Sequence, residues 1–169
     1  QELVEIDTSD ATGNTTRAAE AMAARLRAGG IPAADIHVIV PPGGAKKGNL
    51  VARLRGSGAK KPLLLLAHID TVNAKREDWQ RDPFKLIEEN GYFYARGASD
   101  DKAMAAALVA IMIELRQQNV RLNRDLILAL TADEEIIPSK FSGIEYLIMN
   151  HRSLIDAEFA LNEGGGGLL

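Results

Sequence analysis

Six residues of this chain could share one piece of chemistry: His68, Asp70, Asp100, Glu134, Glu135 and Glu163. One imidazole among carboxylates is a ligand set for a divalent cation, and zinc suits the mixture best. A single histidine with so many acids is unusual for one catalytic zinc. It suits a two-metal site, where a carboxylate can bridge ions about 3.5–4 Å apart. Asp70 follows His68 at i+2, so along a strand both side chains point to one face. An acid there can accept the other ring N–H and fix the tautomer. Glu134 and Glu135 are adjacent, so their side chains should diverge. One can bind metal while the other serves as general base and passes the proton to a leaving amine.

Three apolar runs must position these groups. LLLLA (63–67) leads into His68 and Asp70, LILAL (126–130) leads through Thr131 and Ala132 into Asp133, Glu134 and Glu135, and FAL (159–161) leads into Asn162 and Glu163. Short apolar runs of this kind read as buried strands. Polar groups at their ends need partners, and in open α/β sheets the C-terminal strand edge is where ligands bind.

The remaining elements follow from periodicity and punctuation. Ala18, Ala19, Met22, Ala23 and Leu26 recur at helical spacing. Asn14 or Thr15 is a candidate cap for that helix and Gly29-Gly30 its stop. IHVIV (36–40) and NLVARLR (49–55) read as strands. Residues 86–96 read as a hairpin about Asn90-Gly91. A helix opened by Ser99 or Asp100 should run to about Gln118, with a body so apolar that burial nearly all round is expected. Acids at the start of such a helix are also favoured by its dipole, a purely structural reading of Asp100 and Asp101. Ser142 and Glu145 fit a capping box opening a further helix. The Gly- and Lys-containing loop 41–48 does not meet the phosphate-loop spacing. His37 has no adjacent acidic partner and reads as an exposed or hydrogen-bonded strand residue, and His151, near the end of the helix that Ser142 opens, reads as a dipole-complementing or solvent-facing one. The architecture expected is an α/β three-layer sandwich, a mixed central sheet with helices on both faces.

Composition bounds the partners. The chain has 169 residues, enough for one domain with a real core. A net charge of −3 gives no electrostatic case for nucleic acid or a membrane surface. There is no cysteine, so a metal must be held by His, Asp and Glu. No apolar run approaches the ~20 residues of a membrane span. The chain starts at Gln1 without the regions of a signal peptide, and cytoplasm and periplasm or secretion remain equally open. It stops soon after Glu163, and further sequence downstream is expected.

LLLLAHIDTV, YARGASDDKA, ALTADEE and ALNEGGG together resemble the motifs of the dinuclear zinc amidohydrolase and peptidase family that includes acetylornithine deacetylase, succinyl-diaminopimelate desuccinylase, aminoacylase and glutamate carboxypeptidase. The pattern H-x-D, R-G-x-x-D-x-K, E-E and a single acid falls in order over about residues 62–164. The resemblance implies two zinc ions, with cobalt or manganese as alternatives. His68 and Glu163 would hold one, Glu135 the other, and Asp100 would bridge them. Asp70 would orient His68, Glu134 would be the general base, and the Asp100–Asp101 peptide would be cis. The implied activity is hydrolysis of the amide bond of a peptide C-terminus or an N-acyl amino acid. The family's further histidine ligand and its lid or dimerisation domain find no counterpart here. The chain is therefore expected to be the N-terminal part of a single catalytic domain, inactive or nearly so alone, within a parent that could dimerise through the missing domain. Two other readings stay open: a noncatalytic metal-binding or interaction domain, and a dinuclear aminopeptidase.

Overall fold

The computed structural model describes residues 1–163; the glycine run after Glu163 lies outside the described residues. Five strands form one sheet: β1 (Ile36–Ile39), β2 (Asn49–Leu54), β3 (Leu63–His68), β6 (Leu126–Thr131) and β7 (Phe159–Leu161), in the spatial order β1-β2-β6-β3-β7. β1 and β2 pair antiparallel, as do β2 and β6. β3 pairs parallel with both β6 and β7. The sheet is therefore mixed, as expected. β4 (Ile87–Glu89) and β5 (Tyr92–Tyr94) form a separate hairpin. Its turn residues Asn90 and Gly91 have φ of 54° and 79°, the conformation an Asn-Gly pair tolerates.

Alternation along β6 shows how the layers form. Leu128 and Leu130 face a cluster with Leu26, Val109 and Met112, whereas Ile127 and Ala129 face a cluster with Leu147 and Ile155. The first cluster belongs to α2 (Thr15–Ala28) and α3 (Lys102–Gln117), joined by the short α1 (Glu2–Glu5). The second belongs to α4 (Gly143–Asn150) and α5 (Arg152–Ile155). Helices thus cover both faces, completing the three-layer sandwich.

Topology then places the site. The crossover from β3 to β6 moves one way across the sheet through α3. The crossover from β6 to β7 moves back the other way through α4 and α5. Crossovers of one hand moving in opposite directions must use opposite faces. A crevice opens between neighbouring parallel strands whose connections leave on opposite sides. Those strands are β3 and β6, which deliver His68 and Glu134.

Of the two candidate caps for α2, Asn14 takes the role by accepting from the Arg17 N–H. Other local expectations change. α3 begins at Lys102, not at Ser99 or Asp100, and Asp101 is its N-cap residue without a side-chain capping bond. Its burial is one-sided: Ala105, Val109 and Met112 are buried, but Ile111 is 46% exposed. Ser142 precedes α4, but its side chain makes no capping hydrogen bond, so the expected box is not formed. Among the described residues no helix is long and apolar enough to cross a membrane.

Candidate metal centre

β3, β6 and β7 run in the same direction, so their C-terminal ends share one edge of the sheet. His68 is the last residue of β3 and lies level with Thr131. Glu163 lies two residues past the end of β7. Asp100 arrives from another direction, on the loop that precedes α3. Gly97 lets that loop pass close: its φ is +78°, and a Cβ there would lie 2.8 Å from Thr71 Cγ2. The Asp100–Asp101 peptide is cis, as the resemblance implied.

His68, Asp100 and Glu163 each offer one ligand atom, and these atoms all lie within 4.8 Å of one another. His68 Nε2 is 2.8 Å from Asp100 Oδ1. A buried imidazole converging with two carboxylates is a donor set that fits a borderline divalent cation. His68 Nδ1 lies 3.1 Å from the Asp70 backbone carbonyl and 3.5 Å from its carboxylate. The ring is therefore held on that side by Asp70, mainly through its main chain.

The Asp70 carboxylate has a second task. Oδ1 accepts the Glu134 N–H and Oδ2 the Glu135 N–H, each at 3.1 Å. Asp70 thereby ties the end of β3 to the turn that carries both glutamates. Glu134 lines a cavity of ≈ 250 Å³ together with His68 and Glu163. Glu135 is partly buried and lies outside the three-residue cluster, but the Asp100 charge reaches it.

Charge is concentrated here. Burial disfavours the His68 cation, but the bonds and charges of Asp70 and Asp100 outweigh it and lift the pKa to about 10. Burial also works against the Asp70 anion, yet His68 and the two N–H donors hold its pKa below the usual range. Burial raises Glu135, and the Asp100 charge adds to the effect. Burial, with the Glu163 charge against that of His68, pushes Asp101 up to about 6. One Asp101 oxygen is buried without a partner. A crowd of carboxylates around one imidazole is a place where a cation relieves repulsion.

Some supporting residues lie outside the six candidates. Lys102 is fully buried and donates from Nζ to the Ile6 carbonyl at 2.7 Å, fastening the start of α3 to the N-terminal segment. Burial lowers its pKa to about 8, against the charges of Asp7 and Asp70. Asn49 is also fully buried, and its Oδ1 accepts the Ala132 N–H. Lys47 and Ser139 both bind Asp133. Lys102 is the lysine of the R-G-x-x-D-x-K pattern, whereas the partnerships of Asn49, Lys47 and Ser139 leave no sign in sequence beyond polar residues near predicted strands.

Fold and strand-end cluster together define an α/β domain with a candidate metal centre. The model of Peptidase family M20/M25/M40 matches residues 64–169, and the chain belongs to that family. Mouse N-fatty-acyl-amino acid synthase/hydrolase PM20D1 is 34% identical over 104 residues, covering 62% of this chain and 20% of the mouse protein. Succinyl-diaminopimelate desuccinylase of Delftia acidovorans is 40% identical over 89 residues, covering 52% of this chain and 23% of that protein. Among solved structures, the M20 family metallo-carboxypeptidase Sso-CP2 from Sulfolobus solfataricus is similar with a TM-score of 0.78 at 27% identity, covering 98% of this chain and 36% of that one. Human carnosine dipeptidase 1 shares the fold, with a TM-score of 0.74 at 20% identity over 96% of this chain and 36% of that one. The chain spans between a fifth and a quarter of the length of the two curated relatives.

Proposed function

We propose that this chain supplies the first strands and most of the metal ligands of a zinc-dependent hydrolase that cleaves a linear amide, in a peptide with a free C-terminal carboxylate or an N-acyl amino acid. The observation that carries the reading is that His68, Asp100 and Glu163 converge at the edge of a cavity that Glu134 also lines. The relatives named for desuccinylation, N-fatty-acyl-amino acid hydrolysis and carboxypeptidase action support the substrate class.

The residues take the following roles. His68 and Glu163 would hold one ion, Glu135 would serve a second, and Asp100 would serve both. When bound, the metal supplies Lewis acidity toward a carbonyl and lowers the pKa of water. Glu134 takes the proton from the attacking water and returns it to the departing amine nitrogen. Its backbone is fixed for this by Asp70. Asp70 also holds His68 from the side opposite Asp100, which leaves Nε2 directed at the cluster. We place the remaining histidine ligand and a substrate-covering domain, through which the whole protein would dimerise, outside these 169 residues. The segment alone then turns over little or no substrate.

The test is Glu134→Ala in the whole protein, assayed on N-acyl amino acids and dipeptides with metal content measured beside it. The variant should keep its metal and lose turnover by about 10²–10⁴-fold. Near-normal turnover would remove Glu134 as the base, and absence of hydrolysis by the unaltered protein would remove the enzyme reading.

A further inference from the structure

The backbone of the turn from Ala132 to Glu135 is held by four hydrogen bonds to three residues. Ala132 N–H donates to Asn49 at 2.9 Å and its carbonyl accepts from Gly143 N–H at 2.8 Å. Glu134 and Glu135 donate to Asp70. Between them stands Asp133, buried, with φ of +56°. Few residues other than glycine adopt that left-handed conformation, and aspartate is among those that tolerate it. It turns the chain sharply out of β6, just before the two glutamates.

Both Asp133 carboxylate oxygens are occupied. Oδ1 accepts from Lys47 Nζ at 2.7 Å and Oδ2 from Ser139 Oγ at 2.7 Å. Lys47 comes from the end of the β1–β2 connection, and its Nζ also donates to Asp10 at 3.0 Å. A buried carboxylate without such a partner would be strongly unfavourable, so the pair fixes where Asp133 can be. The sheet itself does not need this link, because β2 and β6 are already joined through a ladder from Leu50–Leu130 to Leu54–Leu126.

We propose that Lys47 and Asp133 form a latch that sets the direction of the Glu134 carboxylate, and that both are positioning residues for the reaction. This rests on the reading of Glu134 as the base. Among the described residues neither side chain hydrogen-bonds or ion-pairs with His68, Asp100 or Glu163, so their effect is exerted through the turn.

The experiment uses Asp133→Asn, Lys47→Met and Lys47→Arg. Asparagine tolerates the left-handed conformation, so Asp133→Asn removes the charge link and keeps the turn possible. In the whole protein, kcat for an N-acyl amino acid should fall about 10–100-fold in Asp133→Asn and Lys47→Met, as expected for a misplaced base, with KM within about twofold. Lys47→Arg should recover most of the loss. In the 169-residue chain, hydrogen exchange at the Glu134 and Glu135 amides should quicken at least about tenfold while the Leu50 and Leu128 amides keep their rates. Should Lys47→Met fail to fold with Asp133 left unpaired, the Lys47→Met/Asp133→Asn double variant removes both charges and replaces it. Unchanged kcat with unchanged exchange, or exchange quickened equally at all four amides, overturns the latch. Glu134→Ala runs in the same series. If it abolishes turnover while the latch variants are normal, the latch alone fails; if it leaves turnover intact, the base reading fails and the latch falls with it.

Discussion

Asp70 connects the two halves of the candidate centre. One carboxylate accepts the N–H groups of Glu134 and Glu135, and the same residue holds His68 by its carbonyl. Asp70→Asn keeps the shape but turns an acceptor into a donor facing one of those N–H groups. Groups that orient metal ligands typically change affinity about 10–100-fold when replaced, and a loss of that size is expected here. Competition against a chromophoric zinc chelator measures it, and unchanged affinity would confine Asp70 to a packing role. His68, Asp70 and the glutamates could be read from sequence because side-chain chemistry at strand ends leaves a pattern. The clasp between Asp70 and the Glu134–Glu135 backbone could not, because every residue except proline has an N–H and none advertises its partner. Lys47 was obscured for a related reason: in a loop of glycines and lysines nothing marks the one lysine that reaches Asp133.

The elements that deliver these residues are held at their far ends too. Asp125 stands just before β6 and accepts from Arg53 at 2.9 Å and from the Gly56 N–H at 2.8 Å. Burial works against its charge, but Gly56 and Arg53 outweigh that and hold its pKa below the usual carboxylate value of 3.8. A carboxyl depressed in the folded state stabilises above its unfolded pKa, and that contribution is lost as the pH falls through the folded value. Asp125→Asn should therefore lower the urea midpoint at about pH 7, and the gap to the unaltered chain should close below about pH 4. An equal gap at both pH values would show that the charge is not what matters. β3, β6 and β7 were legible because unbroken apolar runs with turn residues around them have few other solutions. α3 was legible in existence but not in start or exposure. Alanines such as Ala106 and Ala107 make a helix look apolar all round, yet they expose little side chain when they face outward. Ser142 and Glu145 matched a capping pattern, but Ser142 Oγ does not bond the helix. The Ala132 carbonyl takes the Gly143 N–H, a first-turn donor of α4.

For the whole molecule, the decisive feature is that two crossovers leave neighbouring parallel strands on opposite faces. Strand order could not be read from the chain, because β6 inserts between β2 and β3, which are consecutive in sequence. The shared chemistry of three strand ends nonetheless points to a common edge without the strand order. Asp100 joins them through a loop whose path depends on Gly97, and that convergence is a property of the folded chain alone. If this edge is a metal centre, it should bind zinc through those strand-end residues. Zinc titration of the stripped 169-residue chain by calorimetry, with His68→Ala and Glu163→Gln beside it, tests it most directly. Zinc should bind the unaltered chain, and binding should weaken at least about tenfold in each variant, since each removes a ligand. No binding to the unaltered chain, or binding equally strong in both variants, would contradict it.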